Sequence, residues 1–207
     1  MATPLFIYLH GFNSSPDSIK ARQFQAAMVA AGRADDVLVP ALSHWPAEAI
    51  AQAEALIKQH QGRDITLIGS SLGGYYSLWL GEQYQVRAVL VNPAVRPYEL
   101  LAEMLGQQSN LYTGEAYTLT KQHLQQMLAL DVATLSDPQR YLLLTQTDDE
   151  TLDYRQAVDK LRDSPMLIQR GGDHGFQQFT ALIPAILAFS EGRVELPDVP
   201  GLPSVDS

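Results

Sequence analysis

Residues 67–76 read LIGSSLGGYY and set two serines side by side. Ser71 has Gly69 two positions before it and Gly73 two after it, whereas Ser70 has Ile68 and Leu72 at the same offsets. A serine presented on a sharp turn between a strand and a helix brings the two elements close together. The flanking positions must then be small, and glycine serves because it lacks a Cβ. Ser71 meets that demand and Ser70 does not, so Ser71 is the candidate nucleophile. The competing reading is a glycine-rich turn that holds an anion at a helix N-terminus.

A serine hydroxyl attacks a carbonyl only when a base takes its proton. The chain offers five histidines: His10, His44, His60, His123 and His174. His60 and His123 fall in polar surroundings where solvated positions are expected, and His44 sits in a loop that could line a pocket. His174, in RGGDHGF, follows an apolar run of strand type and has glycines on both sides to free the backbone. It is the candidate base. The base needs a carboxylate to fix its tautomer, and the segment TQTDDETLDY supplies Asp148, Asp149, Glu150 and Asp153. Asp149 is the first choice and Asp148 the second, with the other expected to cap the following helix. Asp173 adjoins His174 and is read as a loop-stabilising side chain. The oxyanion of a tetrahedral intermediate needs two N–H donors. The backbone N–H of Leu72 and that of Phe12, in the loop HGFNSS, are the candidates, with Asn13 or Ser14 as possible side-chain additions. His10 is expected to brace that loop rather than to act in catalysis.

The elements that must position these residues are legible as short apolar runs alternating with amphipathic stretches. Strands are expected at 5–10, 37–40, 65–69, 86–92, 141–146 and 165–170. Helices are expected at 17–31, from Pro46, at 72–84, around Tyr154 to Leu161, and over 176–189. Pro184 lies inside the last of these, so a kink or a start near Leu182 is expected. The alternation predicts an α/β fold: a mainly parallel six-stranded sheet with helices on both faces. The stretch 93–140 is longer than a crossover needs and reads as a short helical, lid-like insertion, with a polar turn-rich part at 106–118. One domain is expected over 1–190 and a flexible tail over 191–207.

Composition narrows the function class. The chain has 207 residues, 46% of them hydrophobic and 18% charged, with a net charge of −9. Nucleic acids and anionic membrane surfaces both favour basic patches, so neither is an expected partner. With no cysteine there is no thiol nucleophile and no thiolate metal site, and the chain fits a reducing, cytoplasmic setting. No metal or organic cofactor is required by the chemistry above. Nothing in the sequence fixes an oligomeric state. Trp45, Tyr75, Tyr98, Tyr112 and Tyr117 are candidate walls of an acyl pocket, although packing is the expected fate of most of them.

Together, YLHGFNSSP, LIGSSLGGYYSLWL, LLLTQTDDETLDY and RGGDHGF resemble the α/β-hydrolase superfamily, in its chain order of serine, acid, histidine. More narrowly, HGFNSSP with GSSLGG is similar to the small bacterial YqiA-type esterases, over about residues 3–190. The resemblance implies a compact hydrolase sheet without the first antiparallel strands of larger members. It implies a serine esterase acting on short-to-medium acyl esters as small-molecule substrates, with acyl-CoA thioesters as further candidates. It carries over Ser71, His174 and Asp149, the last because Thr151 and Leu152 follow it at the usual offsets. Gln146 departs from the pattern, which has glycine there. The rival reading is a catalytically silent hydrolase-fold protein serving as an interaction module.

Overall fold

The computed structural model describes residues 3–202, and the outermost positions of the 191–207 tail lie outside the described residues. Six strands form one parallel sheet: β1 (Leu5–Leu9), β2 (Val37–Leu38), β3 (Ile65–Ser70), β4 (Arg87–Val91), β7 (Tyr141–Gln146) and β8 (Met166–Gln169). Their spatial order is β2-β1-β3-β4-β7-β8. The chain leaves β1 toward one edge and resumes at β3 toward the other. The switch point, where open α/β sheets bind ligands, therefore lies between β1 and β3.

Both faces of the sheet are covered, which is why its strands are continuous apolar runs. Leu5, Ile7, Leu9, Leu67, Ala88, Leu90, Tyr141 and Leu143 face α2 (Pro46–Gln59), α3 (Leu72–Tyr84) and α6 (Tyr154–Lys160). The alternate residues Phe6, Tyr8, Ile68, Val89, Val91, Leu142 and Leu144 face α1 (Ile19–Ala30) and α7 (Ile183–Ser190). The period-two division of strand side chains thus sorts the core into two layers. The α/β-hydrolase architecture expected from sequence is the architecture found.

The last helix starts next to Leu182, the second of the two alternatives expected, whereas the insertion differs in detail from its reading. Pro184 lies in the first turn of α7, where its missing N–H costs nothing, and a 3₁₀ turn over Phe179–Leu182 precedes it. The helix cannot extend back to 176 because Phe176 and Gln178 hold φ of 62° and 57°. The insertion 93–140 contains α4 (Pro97–Leu100) and α5 (Lys121–Leu128), but between them stands an antiparallel hairpin. It pairs β5 (Gly106–Ser109) with β6 (Ala116–Leu119), in the stretch read as turn-rich. Tyr75 of α3 anchors the insertion by donating its hydroxyl to the Met127 carbonyl at 2.7 Å.

Beyond α7 the chain returns along β8. Leu202 N–H donates to the Arg170 carbonyl at 2.7 Å, Gln169 donates its amide to the Pro200 carbonyl at 3.0 Å, and Val199 packs on the core. Among the described residues no helix is long and apolar enough to cross a membrane.

Candidate active site

Ser71 stands between the end of β3 and the start of α3, with φ 54° and ψ −118°. That left-handed φ is costly for a residue with a Cβ, and it projects the serine off the strand end. The glycines at either side of it are sterically required. A Cβ at Gly69 would overlap the Gly73 carbonyl and the Ser77 hydroxyl, and one at Gly73 would overlap the Leu9 carbonyl. The turn is tied down by Ser71 N–H to Val91 O at 3.1 Å and by Ala94 N–H to Ser71 O at 3.1 Å.

His174 and Asp149 come from the loops after β8 and β7, at the same carboxyl edge of the sheet as Ser71. His174 Nε2 lies 3.1 Å from Ser71 Oγ, and His174 Nδ1 lies 2.9 and 2.8 Å from the two Asp149 carboxylate oxygens. The Asp149 side chain is 1% exposed and the His174 side chain 25% exposed. The carboxylate is therefore shielded, while the ring keeps one edge open to an incoming group. Asp149 Oδ1 also accepts the N–H groups of Thr151 and Leu152 at 2.9 and 2.8 Å. These bonds fix the carboxylate orientation before any substrate arrives.

The other carboxylates of the segment are engaged elsewhere. Asp148 accepts the Thr147 hydroxyl at 2.8 Å. The helix cap expected of it is supplied instead by Asp153, which accepts from Arg155 N–H. Glu150 accepts the His174 backbone N–H at 2.9 Å, so it steadies the histidine through the main chain. Asp173 accepts from Gln177 Nε2 at 2.8 Å, within its own loop.

Beneath the two loops lies a polar network that the residue types alone do not reveal. Gln146 is fully buried, and its Oε1 accepts the backbone N–H groups of Asp173 and Gln177 at 3.2 and 2.9 Å. Its Nε2 donates to Gln169 Oε1 and to the Gln177 carbonyl, both at 2.8 Å. A Cβ on Gly172 (φ 83°) would overlap the Gln146 side chain. The glycine expected at 146 is thus exchanged for a glutamine, and the space it needs is found at Gly172. Asn92, at the end of β4, accepts Gln146 N–H at 3.0 Å and donates to the Asp173 carbonyl at 3.0 Å.

Leu72 opens α3, so its N–H has no carbonyl one turn back to bond with. The β1 loop presses against the same turn: a Cβ on Gly11 would stand 3.2 Å from Ser71 Cβ. Phe12 is the next residue. His10 braces this loop: its Nδ1 meets the Gly11 carbonyl and its Nε2 accepts Leu42 N–H, each at 3.1 Å. The accepting role of Nε2 requires the proton on Nδ1. Burial holds the His10 pKa below its ordinary value, against the opposing pull of the Gly11 carbonyl, and so favours this neutral tautomer.

The hairpin of the insertion clamps the same loop. Tyr117 donates its hydroxyl to Asn13 Oδ1 at 2.7 Å, Asn13 Nδ2 donates to Gln108 at 3.1 Å, and Asn110 Nδ2 donates to the Ser14 carbonyl at 2.7 Å. Between hairpin, β1 loop and β2–α2 loop opens a cleft of about 220 Å³. Phe12, Leu72, Tyr76, His44, Trp45 and Tyr117 form its apolar and aromatic walls. Of the aromatic candidates, Trp45 and Tyr117 reach this cleft. Tyr75 is buried with its hydroxyl on the Met127 carbonyl, Tyr98 packs half-buried against the core, and Tyr112 is exposed. His123 is fully buried rather than solvated, because its ring stacks on Trp45 at 3.7 Å and its Nδ1 caps α5 by accepting Thr120 N–H at 3.1 Å. Burial and the neighbouring His44 hold its pKa below the ordinary value.

Comparison with known proteins agrees with this architecture. The profile of an uncharacterised protein family, UPF0227, matches residues 5–191. The fold is similar to that of the alpha/beta hydrolase domain-containing protein 10 from mouse, with TM-score 0.71 and 18% identity over 92% of this chain and 91% of that one. It is similar to Est1E from Butyrivibrio proteoclasticus, with TM-score 0.68 and 14% identity over 92% and 88%. The esterase domain of a Rhodothermus marinus protein superposes with TM-score 0.66 and 17% identity over 94% and 90%.

Proposed function

This chain belongs to the UPF0227 family, and we propose that it is a serine carboxylesterase acting on short-to-medium acyl esters through an acyl-enzyme. The observation that carries this reading is the continuous hydrogen-bonded chain from Ser71 Oγ through the His174 ring to the Asp149 carboxylate. Fold likeness alone would not support it, since this fold hosts many functions.

In the proposed reaction the ester carbonyl lies against Ser71, its oxygen facing the N–H groups of Phe12 and Leu72. His174 Nε2 takes the hydroxyl proton as Oγ attacks. Asp149 holds the opposite nitrogen protonated and stabilises the imidazolium that results. Collapse of the tetrahedral intermediate breaks the C–O bond, and His174 returns the proton to the leaving alkoxide. Water then repeats the sequence against the acyl-serine, releasing the acid and restoring Ser71. An acyl thioester would be open to the same attack, with a thiolate leaving instead.

The test is hydrolysis of a p-nitrophenyl ester series, acetyl to palmitoyl, by wild type and Ser71→Ala. The expected result is turnover of short chains by wild type and a loss of roughly 10³-fold or more in the variant. A folded wild type inert on every chain length would favour the silent interaction module instead.

A further inference from the structure

The cleft beside Ser71 combines aromatic walls with a particular charge. Among the described residues its lining includes two carboxylates, Glu48 and Glu115, and neither lysine nor arginine. Both glutamates are exposed. The Glu48 carboxylate is oriented by the Ser43 hydroxyl, which donates to it at 2.7 Å. Trp45, Tyr117, Tyr76 and Phe12 line the same cleft. Aromatic rings beside carboxylates form surroundings that recognise an ammonium group, because the ring quadrupole and the anions attract a cation together. The same surroundings repel a second carboxylate or a phosphate.

The walls also say which half of an ester belongs here. The leaving group must reach His174 to collect its proton. The cleft is lined by the β1 loop, the β2–α2 loop, the start of α3 and the hairpin, and by no residue of the loops that carry Asp149 and His174. The half that extends into the cleft, away from His174, is therefore the acyl half. At about 220 Å³ the cleft is smaller than ordinary drug-sized pockets of roughly 300–1,000 Å³ and suits a compact group.

We propose that the cleft between the hairpin and the β1 loop is an acyl-binding site selective for compact acyl groups that end in an ammonium cation. This deepens the esterase reading above and rests on Ser71 being the nucleophile. The chemistry of bond cleavage is unchanged. The cation contributes by holding the acyl chain against Trp45 and Tyr117 beside the Glu48 and Glu115 carboxylates.

A matched pair of p-nitrophenyl esters separates the two claims. One carries the 4-(trimethylammonio)butanoyl group, the other its neutral carbon isostere, 5,5-dimethylhexanoyl. The expected result is a wild-type kcat/KM for the cationic ester about five- to thirty-fold above the neutral one, in line with a desolvated cation–π contact. That ratio should shrink as ionic strength rises, and it should fall toward one in the folded double variant Glu48→Gln/Glu115→Gln. Hydrolysis of the neutral ester with a wild-type ratio at or below one would overturn the ammonium site while leaving Ser71 as nucleophile. A ratio above one that persists in the double variant would overturn the role of the two carboxylates. Failure of wild type on both esters would bring down the esterase reading and this site with it.

Discussion

At the scale of single residues, the two adjacent aspartates have different work because different atoms face them. Asp149 offers its carboxylate to the His174 ring and to two backbone N–H groups. Asp148 takes the neighbouring Thr147 hydroxyl. Asp149→Asn would keep the shape of the site but remove the charge that fixes the histidine tautomer. The expected outcome is a fall in kcat on the order of 10⁴-fold, against less than a few-fold for Asp148→Asn, read from steady-state ester hydrolysis. Gln146 is the second residue with a sharp consequence. Gln146→Leu leaves the Asp173 and Gln177 N–H groups, and the Gln169 carboxamide, without their buried partner. Each orphaned group costs about 1–3 kcal/mol. Stability should therefore fall by at least that amount in urea titration, and kcat should fall with KM little changed, because the His174 loop loses its support. Sequence reading singled out Ser71, Asp149 and His174, whose side chains meet in the fold, because spacing and chain order constrain them. It met Gln146 only as a departure from a pattern, since the carboxamide's partners, Gln169, Asp173 and Gln177, lie 23 to 31 residues further along the chain.

At the scale of elements, what was legible is what periodicity encodes. The parallel strands are unbroken apolar runs, and the turn at Ser71 announces itself through glycines. Gly73→Ala would drive a Cβ into the Leu9 carbonyl at the junction of α3 with β1. Overpacking of this kind costs about 1–3 kcal/mol, and here backbone rather than a flexible side chain must yield. A fall in melting temperature together with loss of esterase activity is expected, and a variant with wild-type values for both would show that the contact relaxes freely. The hairpin was illegible for the opposite reason. Both strands alternate exposed and inward positions, but the inward residues of GQQS are Gly106 and Gln108, so only Tyr117 and Leu119 give the period an apolar signature. Its place is set by side-chain bonds to Asn13 and Ser14, about a hundred residues earlier. If the hairpin holds the loop that presents the Phe12 N–H, the double variant Gln108→Ala/Asn110→Ala should lower kcat several-fold. Those bonds are half-buried and Asn110 Oδ1 also accepts the Tyr112 and Thr113 N–H groups in the hairpin turn, so a modest fall in urea midpoint should accompany the loss of kcat.

At the scale of the whole molecule, the fold shields several hydroxyls and the half-buried Lys20 ammonium, and their titration should shape stability at alkaline pH. Burial raises the pKa of Tyr8, Tyr75, Tyr76, Tyr98 and Tyr141 above the ordinary value, and it lifts that of Tyr117 to about 12. The folded chain holds these protons while the unfolded chain releases them near pH 10. Above that pH the unfolded state binds fewer protons, and stability must fall. Lys20 acts in the opposite direction. Its ammonium donates to the Gly175 carbonyl at 2.8 Å, and burial lowers its pKa to about 8, against the pull of Asp173 and Asp149. Between about pH 8 and the ordinary value of 10.5 the unfolded chain binds this proton and the folded chain does not, so stability rises with pH across that window. The two effects together predict a urea midpoint that is level or rising from pH 8 to about pH 10 and drops steeply beyond it. In Lys20→Met the ammonium is gone from both states, so the rise should disappear while the later drop remains. A wild-type midpoint that declines steadily from pH 8, with the same slope in the variant, would mean that Lys20 keeps its ordinary affinity for a proton and that its amine is better hydrated in the fold than its place beside the His174 loop implies.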